Sequence, residues 1–123
     1  MDFRAGRLSV KANVERAYEM DGLAIPPAAV RDQEAIELAR VWVAERGLHC
    51  SIKVGMYAEG GVAREINAWG IILADLVQHL TDALSGEGFG SKAALLEALV
   101  DAFNEEISAP TSDRTGGEGA KVS

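Results

Sequence analysis

The fold is decided by Ala68-Trp69-Gly70-Ile71-Ile72-Leu73-Ala74-Asp75-Leu76-Val77-Gln78-His79-Leu80, which contains the longest apolar stretch of the chain. Its spacing predicts a helix that begins after a cap at Asn67 and ends near Leu84. We expect one face of this helix to belong to the core, and that face carries Trp69, Leu73, Leu76, Val77, Leu80 and Leu84. Asp75 and His79 are one turn apart, so their side chains can touch.

The candidate functional face of this helix consists of Ile71, Asp75, His79 and Asp82. At 100° per residue, this face lies about 140° from the centre of the predicted core face. Three interpretations are open. The face is a solvated surface with a weak Asp–His pair, or part of a metal or catalytic site. In the third interpretation it is the contact of a homodimer, which would bury Ile71 and pair Asp75 with His79 across a symmetry axis.

The metal and catalytic interpretations have the least support in the sequence. A metal site would need further ligands, and the chain has only one other histidine, His49. Catalysis would need a pKa perturbed by burial, which an open helix surface does not provide. We therefore predict no metal and no cofactor, and we favour a protein without catalytic activity while leaving the enzyme question open.

Three further residues are weaker candidates. Trp69 is expected to pack in the core. Gly70 is predicted in the first helical turn, where it would admit another backbone or a ligand phosphate. His49 is expected on the open face of a strand with Ser51 and Lys53, about 7 Å from its same-face neighbours, which is too far for a Ser–His pair. Cys50, the single cysteine, is predicted to point inward.

The remaining patterns predict an α+β fold, with a small antiparallel sheet of two to three strands packed by about three helices. Alternating apolar residues predict strands at 8–14 and 48–54. Pro26-Pro27 predicts the entry to a helix over residues 28–46. Gly60-Gly61 predicts the turn of a hairpin over residues 56–66. Ser91 is expected to cap a last helix over residues 92–108.

The length of 123 residues fits a single domain. We predict an N-terminal extension with a strand at 1–22, the α+β core at 23–109, and a disordered tail at 110–123. The net charge of −7, from 19 acidic and 12 basic residues, disfavours binding to nucleic acid or to an anionic membrane. No segment resembles a signal peptide or a membrane span, so a cytoplasmic location is expected.

Several motifs resemble a small bacterial family of domains of unknown function. They are Ile25-Pro26-Pro27-Ala28-Ala29, Glu37-Leu38-Ala39-Arg40-Val41-Trp42-Val43, Leu48-His49-Cys50-Ser51, Trp69-Gly70-Ile71-Ile72-Leu73-Ala74-Asp75 with His79, and Phe103-Asn104-Glu105-Glu106 followed by Pro110-Thr111. The resemblance spans roughly residues 23–112. It implies a single-domain bacterial protein and supplies no activity.

The sequence therefore favours an interaction or assembly module, either a homodimer or a protein that binds another protein. The alternative is a small-molecule binding protein or enzyme that uses the face around Asp75 and His79.

Overall fold

The computed structural model describes residues 22–111 and 114–115, which fall into two compact units. We call residues 22–53 with 114–115 the sheet unit and residues 54–111 the helical unit. The strand predicted at 8–14 and most of the tail predicted at 110–123 lie outside the described residues.

The sheet unit is built on an antiparallel hairpin of β1 (Ala39–Ala44) and β2 (Gly47–Ile52). Its register runs from Ala39 opposite Ile52 to Ala44 opposite Gly47. Glu45 and Arg46 form the turn with φ values of 49° and 64°. Positive φ at both turn residues matches the right-handed twist of the two strands, although glycine or asparagine usually occupies such positions.

The helix predicted over residues 28–46 is therefore wrong for most of its length. Helix α1 spans only Pro27–Arg31. Asp32 is extended, and its side chain accepts a hydrogen bond from the Glu34 N–H at 2.9 Å, so a turn replaces the next helical bond. The β-branched residues Val41 and Val43 then favour the strand.

One face of the hairpin is apolar throughout. Alternate residues of a strand point to the same side. Val41 lies opposite Cys50 and Val43 opposite Leu48, with Ala39 and Ile52 completing this face. Val41 and Val43 are nevertheless 59% and 47% exposed. The short strand β3 (Arg114–Thr115), which the sequence did not predict, pairs with β2 in parallel and gives the order β1-β2-β3.

The helical unit begins with a short 3-10 helix (Ala58–Gly60), followed by α2 (Val62–Gly86). The hairpin predicted at Gly60-Gly61 and the cap predicted at Asn67 are both wrong. Gly61 is the residue before α2, and its φ of +96° is one that glycine adopts without strain. The glycine pair therefore starts a helix, and residues 62–66 form its first turn rather than a strand.

The second half of the helical unit agrees with its prediction. Helix α2 ends where the Phe89 N–H donates to the Leu84 carbonyl and Gly88 adopts a φ of +86°. Helix α3 spans Lys92–Ser108, and the Ser91 hydroxyl oxygen accepts from the Ala94 N–H. At its far end, Glu106 accepts hydrogen bonds from the N–H and hydroxyl of Thr111.

These elements confirm the predicted α+β class, with three helices and a small sheet whose main pair is antiparallel. Among the described residues, none of the helices has the length and apolar character needed to cross a membrane.

Candidate functional site

The face predicted to be functional, Ile71, Asp75, His79 and Asp82, lies along one side of α2, and we call it the outer face. All four residues are exposed, and Ile71 keeps 55% of its surface. No hydrogen bond or ion pair joins Asp75 to His79 within the described part of the chain. The structure thus places these residues on one surface without a contact between Asp75 and His79.

Asp82 has a partner in the next helix. Its Oδ1 lies 2.8 Å from Nζ of Lys92, at the start of α3. Both side chains are more than half exposed, so solvent screens the pair and its contribution to stability is small, about 0–1 kcal/mol. This ion pair links the end of α2 to the start of α3.

The outer face offers little for a metal. Over residues 22–111 and 114–115, no cluster of three or more His, Cys, Asp or Glu side chains could hold an ion. His49 belongs to β2 in the sheet unit, where its Nε2 lies 3.0 Å from the carbonyl oxygen of Ala44. A carbonyl only accepts, so Nε2 carries the proton and the ring links the two strands near their turn.

Gly70 is not at a helix N-terminus, contrary to the prediction. Helix α2 begins at Val62, so Trp69 and Gly70 follow its second turn and offer no free backbone N–H groups to a phosphate. A Cβ built on Gly70 would meet no atom within 4 Å. A glycine inside a helix costs about 1 kcal/mol relative to alanine, and no described neighbour requires it.

We expect Gly70→Ala to stabilise the isolated chain by about 0.5–1 kcal/mol, because alanine favours the helix and the site has room. Gly61→Ala is the matched control, since its φ of +96° makes a side chain strained there and the same exchange should destabilise. Urea denaturation at a concentration where the chain is monomeric measures both. Equal effects of the two exchanges would contradict this assignment.

Glu65, which the sequence analysis did not identify, accepts three hydrogen bonds in the helical unit. Its Oε2 accepts from the Gly55 N–H at 2.7 Å and from the Trp69 indole N–H at 2.9 Å. Its Oε1 accepts from the Tyr57 N–H at 2.8 Å. We call this arrangement the Glu65 clasp. It fixes the segment before the 3-10 helix onto the first turns of α2.

These hydrogen bonds lower the pKa of Glu65 from its ordinary value of 4.5, and the backbone N–H of Gly55 and then that of Tyr57 contribute most. A carboxylate that accepts several N–H groups is favoured in its charged form. Three of its roughly four acceptor sites are occupied, so it is suited to holding structure rather than to moving a proton. The signal for it was the spacing of Glu65 and Trp69, one turn apart on α2.

The predicted core face of α2 is only partly covered. Trp69, Val77 and Leu84 are half-buried, as expected. A row of five aliphatic residues is exposed instead, and we call it the apolar seam. Its members and their exposed fractions are Val62 (75%), Ile66 (65%), Leu73 (48%), Leu76 (59%) and Leu80 (45%). Thr81 is the one fully buried residue of α2, and its hydroxyl donates to the Gln78 carbonyl.

Comparison with known proteins identifies a family and solved structures of similar fold. The model of a domain of unknown function, DUF5076, matches residues 22–111. A solved structure from the photosynthetic bacterium Rhodopseudomonas palustrus CGA009, named a "putative pyruvate dehydrogenase", is 25% identical, with a TM-score of 0.58. The match covers 77% of this chain and 91% of that one. No curated protein matches.

Proposed function

Since the chain belongs to the DUF5076 family, a domain of unknown function, we propose from its surface that it is an assembly module that pairs with a second copy of itself. The family confirms the resemblance seen in the sequence. It contributes no activity, so the proposal depends on the surface that the described residues present.

The observation that carries the proposal is the apolar seam. Exposed single apolar residues are common on soluble proteins. Rows of them along one helix are typical of surfaces that bind another protein. The seam holds five aliphatic side chains, each with 45% or more of its surface exposed. The outer face holds one, Ile71, so the seam is the better supported contact surface on α2.

Sedimentation of the full chain tests the proposal. We expect a mass of twice 13.0 kDa at micromolar concentration, with dissociation on dilution. His79→Ala should leave this mass unchanged, because His79 lies on the outer face rather than in the seam. A mass of one chain at every concentration up to the millimolar range would contradict self-assembly. A dimer that is lost in His79→Ala would instead place the contact on the outer face.

The second candidate is a small-molecule binding protein or enzyme that uses Asp75 and His79. The name of the Rhodopseudomonas structure favours it and suggests pyruvate as the probe. Titration of the ¹⁵N-labelled chain with pyruvate would then shift the amide signals of α2 near Asp75, and Asp75→Asn would abolish the shifts. A spectrum that pyruvate leaves unchanged would count against this candidate.

A further inference from the structure

The apolar seam follows one side of α2 for most of its length. With Trp69 it reads Val62, Ile66, Trp69, Leu73, Leu76 and Leu80, and the steps along α2 alternate between four and three residues. The average step from Val62 to Leu80 is 3.6 residues, which keeps the row on one side of α2. A straight apolar row on a helix of 25 residues has a shape that a second helix laid along it can pack against.

The rest of α2 leaves the seam free for such a helix. Helix α3 contacts α2, and the buried Thr81 lies about 100° around α2 from the centre of the seam. All charged side chains of α2, namely Arg64, Glu65, Asp75 and Asp82, lie off the seam. Burying the seam would therefore remove apolar surface from water without burying an unpaired charge.

The size of the seam fits a pair of identical helices. Helix α2 has 25 residues, which corresponds to a length of about 37 Å. The five exposed aliphatic side chains present on the order of 500 Å² per copy, at the upper end of what monomers expose. Two copies facing each other would bury about 1,000 Å² from these side chains alone. With flanking atoms, the contact reaches the roughly 1,200–2,000 Å² of stable interfaces.

We propose that α2 pairs antiparallel with α2 of a second copy, about a two-fold axis that passes beside Gly70. This inference rests on the proposed self-assembly and adds its geometry. In this register Val62 faces Leu80, Ile66 faces Leu76, and Trp69 faces Leu73, each from the opposite copy. Each of the six residues then contacts one residue of the second copy. The two rows pack in layers, as in an antiparallel coiled coil.

Gly70 gains a role in this arrangement. It flanks the seam next to Trp69, and its counterpart across the two-fold axis is Gly70 of the second copy. The absence of a Cβ at this level gives the Trp69 indole room and lets the two backbones approach. The open space around Gly70 in the single chain is then the space that the second copy fills.

The antiparallel direction is favoured over the parallel one on electrostatic grounds. The positive end of each helix dipole then lies beside the negative end of the other. Glu65 and His79 flank the seam on one side, so each Glu65 carboxylate lies beside His79 of the second copy. A parallel pair would bring like helix ends together and place Glu65 beside Gly70.

Disulfide trapping of the full chain tests the direction and the register. Cys50, the single native cysteine, is first replaced by serine. Residue 72 lies beside the axis, so the cysteines of two Ile72→Cys copies should form a disulfide under mild oxidation. Leu80→Cys should not cross-link alone, because its counterpart is Val62, but a mixture of Leu80→Cys and Val62→Cys should give the disulfide-linked pair. Asp75→Cys, on the outer face, is the control and should stay reduced.

The outcomes separate this inference from the proposed function. A dimer in which Leu80→Cys cross-links alone has parallel helices, and a dimer that cross-links through Asp75→Cys pairs by the outer face. Either result, or a dimer without any cross-link at these positions, overturns the inference and leaves self-assembly intact. If the mass is that of one chain and the seam cysteines are protected from alkylation, the seam is covered within one chain. That result overturns both the inferred geometry and the proposed self-assembly.

A second variant tests the role of Gly70. Gly70→Leu adds a side chain on the axis and should weaken the dimer at least tenfold, although leucine favours the helix. Gln78→Leu introduces the same side chain on the exposed opposite side of α2 and should leave the dissociation constant unchanged. Equal dissociation constants for the two variants would overturn the placement of the axis.

Discussion

Glu65→Gln is expected to lower the melting temperature by several degrees at neutral pH and to flatten the loss of stability in acid. The Glu65 carboxylate accepts three N–H groups, two at Oε2 and one at Oε1. An amide keeps one acceptor oxygen and turns a donor toward the other site. Either the Tyr57 N–H or the N–H groups of Gly55 and Trp69 then face an NH₂ group, which leaves donors unsatisfied.

The pH dependence follows from the lowered pKa of Glu65, caused first by the backbone N–H of Gly55 and then by that of Tyr57. In the unfolded chain this carboxyl has a pKa near 4.5. The clasp therefore contributes its full stabilisation above pH 4.5, and this contribution disappears as the pH falls through the lower folded value. We expect the free energies of unfolding of wild type and Glu65→Gln to converge in acid and to reach their full separation by pH 4.5.

Glu59→Gln is the matched control, because Glu59 is an exposed carboxylate in the neighbouring 3-10 helix. It should leave the stability of the chain nearly unchanged at every pH. The Trp69 indole N–H signal in a Trp42→Phe background reports the clasp directly, since the chain has two tryptophans. An indole signal that does not move between wild type and Glu65→Gln would contradict the role of Glu65.

Local signals predicted the second half of the helical unit. Ser91 caps α3 with its own side chain, and the glycines after Gly86 supply the left-handed residue that ends α2. Such caps depend on neighbours in the sequence, so the pattern suffices to place them. The two errors at Gly60-Gly61 and Asn67 have one cause, because a glycine pair serves equally as a hairpin turn and as the entry to a helix.

The hairpin of the sheet unit could not be predicted, because no residue in the sequence marks its turn. Glu45 and Arg46 hold positive φ without being glycine or asparagine, so nothing marked the turn between β1 and β2. The apolar residues of 35–43 happen to fit one side of a helix as well as a strand. The hydrogen bond of the Asp32 side chain ends α1 after five residues, so these residues form a strand instead of continuing the helix.

Periodicity located the apolar face of α2 but could not say what covers it. The same row of leucines is compatible with a core and with an interface, because both bury the same side chains. Glu65 was missed for a related reason. Its partners Gly55 and Tyr57 come from a segment whose path depends on where α2 begins. The residue that precedes the helix was misplaced by six positions, at Asn67 instead of Gly61.

Leu73→Asp is expected to have the largest effect of any exchange on assembly, converting the dimer to monomers at micromolar concentration. Each dimer would carry two new carboxylates, one opposite each Trp69, in a seam that contains no cation to pair with them. A buried charge without a partner is strongly unfavourable. We expect the dissociation constant to rise at least 100-fold, which corresponds to about 2.7 kcal/mol.

The fold of the single chain should tolerate this exchange, because Leu73 already exposes 48% of its surface there. Helix content by circular dichroism should stay unchanged while the sedimentation mass falls to one chain. Ile71→Asp is the matched control, since Ile71 is also aliphatic, 55% exposed and on the same helix, but lies on the outer face. A dimer that survives Leu73→Asp and is lost in Ile71→Asp would move the interface to the side of Asp75 and His79. The reverse result would make the seam the contact, because two aspartates with nearly equal exposure differ only in the side of α2 on which they lie.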